Sequence, residues 1–75
     1  MDQEERRDYF GELLFDKISS TPGFANYTNY FSKIVGIILD FDDDIIYKFL
    51  QNDLYFQKQV FEIIILLKEN ENQQK

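Results

Sequence analysis

The stretch KIVGIILDFDDD, Lys33 to Asp44, constrains this chain more than any other part of it. Ile34, Val35, Ile37, Ile38 and Leu39 put apolar side chains on nearly every side of a helix, because successive residues turn by about 100° around the axis. A core-facing stripe needs only three or four of them per two turns. Either the fold encloses this helix from two sides, or one side is kept for another molecule. Gly36 interrupts the run where glycine costs about 1 kcal/mol against alanine. Two things explain such a residue: a neighbouring helix packed close inside the core, or a ligand that approaches the backbone.

The pattern around this segment is helical too. From about Gln3 to Ser19, Phe10, Leu14 and Ile18 recur every four residues, with Leu13 and Phe15 widening the stripe. Asp2, Glu4 and Glu5 suit the positive end of that helix. SSTPGF stops it, since the hydroxyls compete for backbone hydrogen bonds and Pro22 and Gly23 disfavour continuation. A second helix is expected from about Asn26 to Asp40, with FANYTNYF as a possible separate short helix at its start. DFDDD ends it, and one of Asp42 to Asp44 is placed to cap the next helix, about Asp43 to Gln51. That helix carries Ile46, Phe49 and Leu50 inward. The last runs from about Leu54 to Glu69 on Phe56, Val60, Ile64 and Leu67. Residues 70–75, NENQQK, read as a polar disordered tail behind a domain of residues 1–69. With no segment of convincing strand alternation, the fold class is all-α, in four to five helices.

Composition removes whole classes of function. Seventy-five residues make one small domain, and without cysteine no disulfide or thiolate metal site can supplement its core. Histidine is absent as well, which takes away the usual neutral-pH proton shuttle and the commonest metal ligand. No phosphate-cradling glycine loop or nucleophile motif replaces them, so no enzyme and no cofactor is expected. Asp40, Asp42 and Asp44 fit the 1, 3, 5 spacing of a calcium loop. Ile45 stands where that loop needs glycine and Gln51 where it needs a bidentate glutamate, so capping and solvation explain the cluster better. The formal charge of −6 repels phosphate backbones and disfavours nucleic-acid binding by this domain. The longest aliphatic run, Ile63 to Leu67, is far short of the roughly 20 residues a span needs. A soluble, cytoplasmic chain is the expectation.

The surplus of apolar surface is the positive signal. Ile63 and Leu66 lie off the core stripe of the last helix, on a flank shared with Gln59 and Glu62. Val35 and Ile37 are displaced from the Ile34/Ile38 line in the same way. Two such flanks line a groove between helices, thicken the core, or pair two copies of the chain. The spacing alone does not choose.

Three segments together resemble the MLLE domain, found at the C-terminus of cytoplasmic poly(A)-binding proteins and in a HECT-type ubiquitin ligase. GELLF (Gly11 to Phe15) is similar to the family's G-E-R-L-F/Y, and KIVGIILD (Lys33 to Asp40) to its signature K-I-T-G-M-L-L-E. From there to Lys68 the chain follows the family pattern without a gap, including Phe56, Val60 and Glu62. The linker STPGFANYTNY is several residues longer. The resemblance covers about Asp8 to Lys68.

It implies four to five short helices in a right-handed superhelical array. It also implies a monomeric adaptor that binds short disordered peptides, the poly(A)-binding-protein-interacting motif of translation, deadenylation and mRNA-turnover factors. The peptide would place a phenylalanine between the first and signature helices, against Gly11, Glu12, Phe15, Lys33, Val35, Gly36 and Leu39. It would place a leucine between the signature and last helices, against Ile37, Ile38, Gln59, Glu62, Ile63 and Leu66. Gln59 stands for the family's usual lysine, Ile63 for a small alanine, Val35 for threonine and Asp16 for proline, so a narrower leucine pocket is expected. The acidic balance suggests peptides with basic flanks. A ubiquitin-ligase module and a homodimerising helical domain are the alternatives.

Overall fold

The computed structural model describes residues 2–73. It contains four α-helices, α1 (Gln3–Ser20), α2 (Phe31–Leu39), α3 (Asp43–Gln51) and α4 (Asp53–Gln73), with a 3-10 segment, Pro22–Tyr30, between the first two. Among the described residues there is no strand, as the periodicity predicts.

Local chemistry sets the ends. The Asp2 carboxylate accepts the Glu5 amide at 2.8 Å and so caps α1. At the other end Ser20 Oγ donates to the Asp16 carbonyl and Thr21 Oγ1 to that of Lys17, both at 2.8 Å. Those hydroxyls satisfy carbonyls that Pro22 prevents the next turn from reaching. α3 occupies the expected residues, but its start differs in detail. Asp42 holds the cap position with an extended backbone, and its carboxylate accepts no amide of the helix. Asp43 instead pairs with Arg6 of α1, and Asp40 with Arg7 at 3.4 Å. α4 starts one residue before Leu54 because Asn52 Oδ1 accepts the Tyr55 amide at 3.0 Å.

The aromatic stretch before α2 is a separate short helix, the second of the two forms expected for FANYTNYF: a 3-10 segment kinked at Tyr27 (φ −120°, ψ 25°). The kink lets Phe24 and Tyr30 both reach the core. Beyond Glu69, where its polarity predicts an end, α4 continues to Gln73. Tyr30 Oη donates to Glu71 at 2.6 Å and the Lys68 ammonium sits 4.8 Å from the Tyr27 ring centre, so the 3-10 segment supports that last turn. Of the expected tail, residues 74 and 75 lie outside the described residues.

The core is one cluster drawn from all five elements. Leu14, Ile34, Ile46 and Val60 are completely buried, one from each helix. Phe49 is its aromatic hub, 1 % exposed, stacked on Phe41 at 6.0 Å and edge-on to Tyr55 at 5.1 Å and Phe56 at 6.3 Å. The half-buried Lys17 closes the corner: its ammonium donates to the Leu50 carbonyl at 2.8 Å and to Asp53 at 2.7 Å, and lies 5.3 Å from the Phe56 ring centre. Among the described residues no polar side chain is buried.

Two outcomes test this packing. Phe49→Ala should cost about 3–5 kcal/mol in thermal or urea unfolding, the usual loss for a buried aromatic truncated to alanine. Domains this small have little more than that to lose. The second concerns Tyr30, whose hydrogen bond to Glu71, with partial burial and the same carboxylate's charge, raises its pKa above the ordinary 10.0. A raised folded pKa means stability present below the unfolded value and lost as pH rises through the folded one. Unfolding midpoints should therefore fall more steeply above about pH 10 in the parent chain than in Tyr30→Phe.

Candidate peptide-binding groove

α1 and α2 pack together at Gly11, where a Cβ would lie 3.7 Å from Leu39 Cδ1, an ordinary contact. Residues of both helices line an open groove of about 780 Å³ beside this contact. Its lining follows the four-residue ridges of both helices. α1 contributes Arg7, Gly11 and Phe15 from one ridge and Asp8, Glu12 and Asp16 from the next; α2 contributes Ser32 and Gly36, then Val35 and Leu39.

Val35 lines the groove but is buried in the core, 8 % exposed; Phe15 and Gly36 have physical reasons to stay accessible. Phe15 is 44 % exposed, and its ring is held edge-on by Phe31 at 5.9 Å and 87°, which fixes one side and leaves the rest free. Gly36 is half-buried, and a methyl group there would meet no heavy atom of any other element within 4 Å. A tight helix contact inside the core therefore does not explain this glycine. It faces the groove, and its missing side chain is part of the groove's volume.

The residues expected at a phenylalanine pocket fall largely together: Gly11, Glu12, Phe15, Val35, Gly36 and Leu39 all line this space. Lys33 is exposed on α2 outside that lining. The residues expected at a leucine pocket are dispersed. Ile38 is 1 % exposed and Ile63 9 % exposed, both in the core cluster, where they hold α2 and α4 in place. Ile37 and Gln59 are half-buried, whereas Leu66 is 59 % exposed. Glu62 lines a different groove, about 950 Å³, between the outer side of α4 and Pro22, Gly23 and Phe24. Leu54, Phe61 and Ile65 line it too, exposed apolar side chains that the stripe analysis left unassigned.

Arg7, Asp8, Asp16 and Ser32 line the groove without having been expected at the site, although a signal existed. Each stands four residues from a groove residue on its own helix: Gly11, Glu12 and Gly36.

An all-α domain with a preformed, partly apolar groove between two helices has the form of a module that takes up an extended or helical segment. A protein-family model, the MLLE domain, matches residues 1–67, and the chain belongs to that family of peptide-binding protein-interaction modules. No curated protein and no solved structure matches it significantly.

Gly36→Ala separates the groove from the fold. With space for the methyl group and a better helix former in place, the variant should gain up to about 1 kcal/mol. Its melting temperature should rise by about 4–8 °C per kcal/mol gained. Circular dichroism measures this, and a fall in melting temperature would show that Gly36 is needed for packing after all.

Proposed function

We propose that this MLLE domain is a cytoplasmic, monomeric adaptor that captures short disordered segments of other proteins through an aromatic anchor seated between α1 and α2. The observation that carries this reading is the groove beside Gly36, where the open backbone and the held Phe15 ring leave room for a second ring. Offset or edge-on contact with Phe15 contributes about 0.5–1.5 kcal/mol beyond area burial. A leucine anchor against Ile37 and Leu66 would add about 1.5–3 kcal/mol if fully buried. Ordering the peptide offsets part of this, so micromolar-range affinity follows. The setting supported by the signature segment is a poly(A)-binding protein that recruits translation, deadenylation and mRNA-turnover factors. A ubiquitin ligase using the same module fits these residues equally well.

An NMR titration tests the anchor. A motif peptide bearing phenylalanine and leucine should shift the amide signals of Gly11 and Gly36, and the same peptide with Phe→Ala should shift almost none. Phe15→Ala should abolish most binding while costing the fold only about 1–2 kcal/mol, because the ring is already partly in water. Undiminished binding by Phe15→Ala would remove the groove from the interaction.

A homodimerising domain is the second reading, favoured by Leu54, Phe61 and Ile65 at 80 %, 50 % and 41 % exposure on one side of α4. Three side chains fall well short of the roughly 800 Å² per partner that stable interfaces bury. Sedimentation should therefore report a monomer, and a concentration-dependent dimer would favour this reading instead.

A further inference from the structure

The two walls of the α1/α2 groove differ in charge. Asp8, Glu12 and Asp16 succeed one another every four residues along α1 and all line the groove. Glu4 continues the row toward the N-terminus. With a rise of 1.5 Å per residue, the three lining carboxylates are spaced about 6 Å apart in a row about 12 Å long. The α2 wall opposite them carries Ser32, Val35, Gly36 and Leu39, none of them charged. All three acids are exposed, and among the described residues none enters an ion pair. Of the nearby cations Arg6 pairs with Asp43 and Lys17 with Asp53, while Arg7, which lines the same groove, pairs with Asp40 at 3.4 Å. Like charges four residues apart repel on a helix, and among the described residues no ion pair to these carboxylates offsets that repulsion.

We infer that this row selects peptides carrying lysine or arginine beside the aromatic anchor, with the cation lying along α1 while the ring sits over Gly36. The inference rests on the anchor reading above and adds its charge selectivity. A net charge of −6 draws cationic segments from a distance, and the row decides where the charge settles. Because the carboxylates repeat, the cation can stand at more than one register. An extended peptide covers about 12 Å in three or four residues, which sets how far from the anchor the cation can lie.

Four synthetic peptides test this on the whole chain. Three share a phenylalanine anchor and differ only in flanking lysine, glutamine or glutamate; the fourth is the lysine peptide with Phe→Ala. At low salt the lysine peptide should bind roughly three- to ten-fold more tightly than the glutamine one, and the glutamate peptide should be weakest. The differences should shrink near 1 M salt, where screening acts within about 3 Å. In the variant Asp8→Asn/Glu12→Gln/Asp16→Asn the selectivity among the three should collapse. Its melting temperature should equal or exceed the parent's, since the repulsion along α1 is gone. Equal affinity of the three anchored peptides for the parent overturns the charge selectivity and leaves the aromatic groove standing. Selectivity that persists in the triple variant overturns it as well. Failure of every anchored peptide to bind, or full binding by the Phe→Ala peptide, overturns the anchor and the inference together.

Discussion

Ile34 and Ile38 lie one helical turn apart on α2, and both are almost wholly removed from water. They seat the helix against α1, the 3-10 segment and α4 at once. A nine-residue helix has little stability of its own, so this tertiary burial is what forms it. Once that line is fixed, the rotation of every other side chain on α2 follows at about 100° per residue. Val35, Gly36 and Leu39 come to line the groove shared with α1, and Ile37, half-buried, does not. The groove is a consequence of which residues of α2 went inward: Phe31, Ile34, Val35 and Ile38.

Much of this was legible because the chain punctuates itself. DFDDD and QND bracket α3 so sharply that its span is the expected one. The lines Phe10/Leu14/Ile18 and Phe56/Val60/Ile64 are buried throughout. What escaped the sequence depends on partners distant in the chain. Nothing local in ENENQ announces a helix, but Tyr30 and Lys68 tie that turn to the 3-10 segment. Nothing local in FANYTNY announces a kink at Tyr27 either. It accompanies the burial of both Phe24 and Tyr30 from one short connection.

The groove residues divide along the same boundary. Gly11, Phe15, Gly36 and Leu39 line one groove because α1 and α2 pack against each other, and helical spacing on each supplies the rest. Placing Ile63 required the rotation of α4, and that depends on what α4 packs against. Its spacing from Val60 suits either the core or a flank, and contact with the rest of the core chose the former. Asp8 and Asp16 carried a readable signal, the four-residue repeat with Glu12. In a chain of acidic balance it resembled ordinary solvation.

Local preference and global fold agree almost everywhere in this domain, which makes the exceptions informative. Glycine stands twice inside a helix, at Gly11 and Gly36, and at neither would a methyl group collide with the fold. Each forgoes about 1 kcal/mol of helix stability for no gain in packing. The third exception is the carboxylate row, each adjacent pair of which costs α1 roughly 0.2–0.5 kcal/mol. All three fall on the same groove, and none is repaid within the monomer. A structural account would scatter such costs or offset them nearby. Their concentration on one accessible, partly apolar surface is what a site looks like when its compensating contacts belong to another molecule.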